Sequence, residues 1–268
     1  MGVSKLLEKF NFKKSFGQNF ILDTNFQKAI VSDCGVSKDD EVLEIGAGAG
    51  TLTNALAEAC GKVVSYEKDE SLREILSESV TSDNVTIKFC DILSKPLEEI
   101  ESDFNDRYTM VANLPYYITT PIIFHFLPSK KLKCLNIMVQ KEVAERIVAK
   151  PNTKDYGILT LMINFYGKAK IVRNINRNMY VPSPNVDSAM VRIDMFDDVD
   201  VELEPIYSKL VHTSFAMRRK TLRNNLSKGL DLSSEQLDAL LKDFDPNVRA
   251  ESLSKDDFIV LSKRFMEI

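Results

Sequence analysis

Between Glu41 and Ile193, short β-rich runs alternate with helix-like stretches, and this alternation constrains the fold more than any other feature of the chain. The strand candidates are EVLEI (41–45), KVVSY (62–66), VTIKFC (85–90), YTMVAN (108–113), CLNIMV (134–139), the run 163–172 and AMVRI (189–193). The first five are too continuously apolar for strands with one wet face. Such runs suit a parallel sheet covered by helices on both sides. Gly61, just past TLTNALAEAC, stands where a helix C-cap is expected. The expected fold is therefore α/β, a doubly wound and mostly parallel sheet. After DMFDDVDVELEP the periodicity turns helical, with polar breaks at SKGLDLSS and DFDPNVRAES. Residues 1–196 are expected to form the sheet domain and 197–268 a small helical domain behind an acidic linker at 197–205.

The 268 residues, 44% hydrophobic and 28% charged, suit one substantial domain and a smaller one. No apolar run approaches the roughly 18 residues of a membrane span. The start, MGVSKLLEKFNFKK, lacks the apolar core of a secretion signal. Cys34, Cys60, Cys90 and Cys134 lie too far apart for a metal or redox pair, so a reducing cytoplasm is expected. With only His125 and His212 present, histidine-dependent hydrolysis and histidine-rich metal sites are poor starting points, and no metal is expected. A net charge of −4 argues at first against nucleic acid. RNA affinity depends instead on where cations cluster. One cluster is Lys5, Lys9, Lys13 and Lys14. The other is Arg218, Arg219, Lys220 and Arg223, in which helical spacing would put Arg219 and Arg223 on one face. The plain alternative for either is a solvated surface.

VLEIGAGAGTLT places Gly46, Gly48 and Gly50 directly after the first strand, with a helix start near Thr51. Glycines there permit a tight turn and close approach of backbone to a ligand. The spacing is G-x-G-x-G, neither the dinucleotide G-x-G-x-x-G nor a Walker loop. Alone, such a turn is weak evidence. The second strand, however, ends at Glu67, whose carboxylate can accept from both hydroxyls of a ribose. The third ends at Asp91, placed to accept from an adenine amino group. Each charge-assisted bond contributes about 1.5–3 kcal/mol. One acidic residue after a strand is commonly a cap; two at consecutive strand ends, after that turn, fit an adenosine ligand.

The fourth strand runs into Asn113-Leu114-Pro115-Tyr116. Adenine N6 is a poor nucleophile because its lone pair is delocalised into the ring. An Asn side-chain oxygen and a nearby backbone carbonyl can hold its two N–H groups and free the lone pair toward a sulfonium methyl. Positioning then replaces strong base catalysis. Tyr116 offers a stacking face worth roughly 1–3 kcal/mol, and Pro115 fixes the turn. The plain alternative is that Asn113 caps the next helix.

This motif after that cofactor pattern resembles the rRNA adenine dimethyltransferases, particularly the small-subunit (KsgA) family. KSFGQNFILD (14–23), VQKEVAERIVA (139–149), DYGILTLM (155–162), YVPSPNVDSAMVRI (180–193) and FAMRRKTLRNNL (215–226) extend the resemblance through most of the chain. The resemblance implies a Rossmann-like methyltransferase sheet carrying an N-terminal cap. It also implies S-adenosylmethionine as cofactor, held by Asn19, Ile21, Gly46, Glu67, Asp91 and Asn113; Gly48, Gly50 and Ile92, in the glycine turn and beside Asp91, are expected to join them. The implied reaction is dimethylation of N6 on two adjacent adenines near the 3′ end of small-subunit (16S) rRNA, in an assembling particle and by a monomer. Asn113, Leu114, Pro115 and Tyr116 would carry the chemistry, Tyr180 would stack opposite Tyr116, and Arg218, Arg219, Lys220 and Arg223 would bind RNA. One departure is that Tyr180 stands where the family usually has Phe, preceded by INRNM rather than a proline-containing segment. The rival readings are a large-subunit methyltransferase of the erythromycin-resistance type and a mainly non-catalytic ribosome-assembly factor. A nicotinamide oxidoreductase is disfavoured by the glycine spacing.

Overall fold

In a computed structural model, which describes Phe10, Lys13 and residues 17–268, the apolar runs pair side by side. The strands are β1 (Phe20–Ile21), β2 (Glu41–Ile45), β3 (Lys62–Glu67), β4 (Val85–Phe89), β5 (Tyr108–Asn113), β6 (Leu132–Gln140), β7 (Gly167–Ile175), β8 (Tyr180–Val181) and β9 (Ser188–Met195). Seven form one sheet in the order β4-β3-β2-β5-β6-β9-β7. β2 to β6 run parallel, and β9 joins β6 antiparallel. The inner strands are buried nearly throughout. β4 lies at the edge and is only half-buried, with Thr86 exposed, so its apolar run does not mark a strand covered on both faces. The separate ribbon pairs β1 with β8, Ile21 facing Tyr180.

The chain divides into two compact units, Met1–Ala144 with Lys170–Met195, and Glu145–Ala169 with Phe196–Ile268. A boundary at 196 alone therefore misassigns 145–169. The strand expected over 163–172 is also corrected: Ile158–Tyr166 is a helix, and β7 begins only at Gly167. Its ILTLMINFY run is almost wholly buried, and apolar runs of that kind do not distinguish a buried helix from a strand.

In the first unit, helices α1 (Thr24–Cys34), α2 (Thr51–Ala59), α3 (Arg73–Ser79), α4 (Leu97–Glu101) and α5 (Thr119–Phe126) connect the strands. Asp23 caps α1 through the Phe26 N–H, and Gly35 closes it in the left-handed conformation. Gly61 is no such cap. α2 ends on Cys60 in extended backbone, and a Cβ at Gly61 would sit 2.5 Å from the Lys38 carbonyl oxygen, so glycine serves close approach. In the second unit, the helix Ile158–Tyr166 packs against Glu204–Ser214 and Lys255–Met266, and Leu222–Gly229 and Ser234–Leu240 pack in turn on those helices and on each other. Phe165 meets Tyr207 at 4.5 Å between ring centroids, and the Tyr156 hydroxyl donates to the Leu253 carbonyl at 2.7 Å. Ser233 and Ser254 each begin a helix with a reciprocal capping box.

Candidate active site

The strand order reverses between β2 and β5, with β3 and β4 lying to one side and β6 to the other. Ligands bind at such a switch point, outside the carboxyl ends of the strands. The register does the rest. Ile45 faces Ala112 on one neighbour and Tyr66 on the other, which brings Gly46 between Asn113 and Glu67. Glu67 faces Phe89, so Asp91 follows two residues beyond. Gly46, Gly48, Glu67, Asp91, Ile92, Asn113, Leu114, Pro115, Tyr116, Asn19 and Ile21 all line one open cleft of about 970 Å³, counting its mouth.

The glycines divide by role. Gly48 has φ +57°, and a Cβ there would press the Phe20 ring at 3.0 Å. Gly50 does not line the cleft. It precedes α2 with φ +81°, and a Cβ would meet Val80 at 2.6 Å and Ser79 at 2.8 Å. Glycine is required there for packing.

Glu67 is buried, and each carboxylate oxygen already accepts a backbone N–H, from Gly48 at 2.9 Å and from Asp69 at 2.7 Å. Burial raises its proton affinity against those two bonds and a further one from the Lys68 backbone. The carboxylate thus fixes the glycine turn while its remaining lone pairs stay available. Asp91 is both cap and cleft residue. It accepts the Leu93 N–H at 3.1 Å and an ion pair from Lys68 at 2.7 Å, which holds its carboxyl below the usual range. Beneath the turn lies Glu44, fully buried, with Oε2 accepting from the Thr53 hydroxyl at 2.7 Å and Oε1 without a partner. Burial pushes it up to about 7.

The Asn113 side chain has one assignable orientation. Its Nδ2 donates to the Asn19 carbonyl at 2.9 Å, which spends the donor end on backbone and leaves Oδ1 as the acceptor of this cleft residue. The following turn directs its own bonds to the Pro115 carbonyl, which accepts from Ile118 N–H at 3.1 Å and the Thr119 hydroxyl at 3.2 Å. Tyr116 lines the cleft, and its hydroxyl meets Ser188 Oγ at 3.0 Å. Tyr180 does not face it. The ring is 3% exposed within the core cluster containing Ile21, Met138 and Met190. The strand alternation of β8 turns Tyr180 inward and Val181 outward, so the expected stacking face is corrected to a core side chain.

Several contributors escaped sequence reasoning. Asp69 collects Lys13 Nζ at 2.6 Å and Gln18 Nε2 at 2.6 Å, and with the Asn113–Asn19 bond these tie the N-terminal strap to both sides of the cleft. Tyr117, 53% exposed, stands on the same lining. Asp69 and Tyr117 adjoin recognised residues, which is the signal that marks them. The Asn19 carbonyl and Ser188 carry none.

In the second unit the basic cluster is not one helix face. Thr221 caps the helix that starts at Leu222, which leaves Arg218, Arg219 and Lys220 in the preceding turn. Arg223 pairs with Asp238 at 2.6 Å, and Arg218 donates to the Lys154 carbonyl at 2.8 Å. Arg219 and Lys220 are exposed. Of the other cluster, Lys13 is on Asp69, and Lys5, Lys9 and Lys14 lie outside the described residues.

The comparisons decide between the readings. A family model described as ribosomal RNA adenine dimethylase matches residues 9–267. The chain belongs to this family. It is 42% identical over 271 residues to the "Ribosomal RNA small subunit methyltransferase A" of Bacillus licheniformis, covering 97% of this chain and 93% of that one. To the protein of that name from Clostridium botulinum it is 40% identical, covering 100% of both. Among solved structures, a dimethyladenosine transferase from Plasmodium falciparum superposes with a TM-score of 0.78 at 25% identity, over 91% of this chain and 96% of that one. The 23S rRNA methyltransferase ErmE shares the fold, with a TM-score of 0.70 at 23% identity over 92% and 99% of the two chains. As a member of the rRNA adenine dimethylase family the chain is an enzyme, a methyltransferase with the expected Rossmann-like sheet. Among the described residues no helix is long and apolar enough to cross a membrane, and no cluster of metal-ligating side chains occurs.

Proposed function

We propose that this enzyme dimethylates N6 of two adjacent adenines near the 3′ end of small-subunit rRNA, with S-adenosylmethionine as donor. Named relatives at 40–42% identity favour the small subunit over the large one, whose ErmE shares the fold. The observation that carries the chemistry is the clamped Asn113 amide, which lines the same cleft as Tyr116 where the strand order reverses.

The residues present fit the cofactor, because the cradle around Gly46 and Gly48 admits a close-lying ligand and carboxylates flank it on one side. Glu67 would hold the ribose hydroxyls, Asp91 and Ile92 the adenine, and Asn19 with Ile21 the methionine end. When bound, the cofactor supplies a methyl group activated on a sulfonium. Asn113 Oδ1 and the Leu114 carbonyl accept the N6 hydrogens, orienting the lone pair, while the Tyr116 ring stacks on the base. The target leaves its own stack at less cost from a single-stranded loop. Arg219 and Lys220, with Arg218 and Arg223, supply phosphate contacts in the second unit. The enzyme acts as a cytoplasmic monomer on an assembling subunit.

The test is Asn113→Ala, assayed by single-turnover transfer of labelled methyl to under-methylated small subunits and by cofactor calorimetry. The rate falls by about 10²–10³, the scale of losing one preorganised polar group, while cofactor affinity changes far less. A wild-type rate refutes the positioning mechanism. Mass spectrometry of the product rRNA locates the methyl groups.

A further inference from the structure

We propose that Ser188 is a positioning residue that holds the Tyr116 ring at the angle required for the target base. The inference rests on reading Tyr116 as the stacking face. Ser188 is fully buried, and its Oγ lies 3.0 Å from the Tyr116 hydroxyl. It is the first residue of β9, in register with Gln140 of β6, and the Asp187 carbonyl beside it accepts the Lys141 N–H at 3.0 Å. The anchor is therefore as rigid as the sheet.

Tyr116 needs such an anchor. It opens a short 3₁₀ turn, and holding its far end selects one of the staggered χ1 wells open to a tyrosine there. The Pro115–Ile118 turn fixes the near end, and Ser188 fixes the hydroxyl on a different element, 72 residues along the chain. A ring pinned at both ends offers its face without being ordered by the incoming base, so less binding free energy is lost to ordering. Burial raises the phenol's pKa, which keeps it protonated and able to donate. Ser188, with one hydrogen and two lone pairs, suits this contact in either direction. The consequence is specific: the phenol contributes to methyl transfer through Ser188, although the stacking face itself is the ring.

A double-mutant cycle on the full chain tests this, with single-turnover methylation of under-methylated small subunits and cofactor calorimetry on each variant. Tyr116→Phe and Ser188→Ala should each slow transfer roughly two- to tenfold, the size of one neutral hydrogen bond. The double variant should be no slower than the slower single one, and cofactor affinity should match wild type throughout. A purely packing role for Ser188 gives multiplicative losses in the double variant, and that result overturns the proposal. Should Ser188→Ala fail to fold, Tyr116→Phe decides alone, and a wild-type rate overturns it. Tyr116→Ala separates the two levels: if it too methylates at the wild-type rate, the stacking reading itself has failed.

Discussion

Replacing Glu67 by Gln asks whether one side chain both builds the turn and binds the ligand. The carboxylate accepts Gly48 N–H on one oxygen and Asp69 N–H on the other. An amide has a single oxygen, so in either orientation one buried N–H faces an NH2 group. Leaving a buried donor unpaired costs about 1–3 kcal/mol. Relief from burying a charge, the effect that raises the Glu67 proton affinity, offsets part of this. The expected net loss is about 1–2 kcal/mol, which for a domain of this size lowers Tm by roughly 2–8 °C without any ligand. Cofactor affinity should fall further, by about tenfold or more, as a charged acceptor toward the ribose becomes neutral. Thermal unfolding of the free protein, followed by calorimetry with S-adenosylmethionine, measures both. If Glu67→Gln melts and binds as wild type does, the dual role is refuted.

Glu44 gives a pH signature. Its value rises from 4.5 to about 7 in the fold, so its contribution to stability is fully present below about pH 4.5 and is lost as pH rises to about 7. Glu44→Gln should match wild type at the acid end and exceed it by about 3 kcal/mol above pH 7 in urea titrations; a constant difference across pH contradicts this. Gly50→Ala should lose about 2–4 kcal/mol of stability through its positive φ and the Val80 clash; Gly48→Ala, also at positive φ and pressed against Phe20, should lose stability and in addition weaken cofactor binding, and denaturant melts beside calorimetry distinguish them. Arg219→Glu combined with Lys220→Glu should weaken particle binding and reduce the logarithmic salt slope by somewhat under one unit per lost contact, with cofactor affinity intact. An unchanged slope in filter binding moves the RNA surface elsewhere.

The cleft was readable largely because its residues are local in sequence. Gly46 and Gly48, Glu67, Asp91 and Asn113 each follow an apolar run directly, and parallel strands bring their ends to one edge whatever the connections do. The misreadings share the opposite property. Whether Gly50 and Gly61 meet a ligand, a cap or another segment depends on what packs there, which is Val80 in one case and Lys38 in the other. The run 163–172 split into helix and strand because its first residues end an almost wholly buried helix, which has no polar face to reveal its period.

The sequence by itself determined the parallel α/β core, the acidic strand ends, the Asn113–Tyr116 turn after the fourth strand and a helical C-terminal part, since each follows from short-range pattern and residue chemistry. Only the tertiary structure decided that residues 145–169 join the second unit, that Tyr180 turns into the core, and that Asn113 and Tyr116 are each tied down from elsewhere in the chain. Those ties run to a backbone carbonyl 94 residues away and a serine 72 residues away. A carbonyl has no residue identity and a single serine no pattern. Which of them reaches the site is set by strand register and packing, which exist only once the chain has folded.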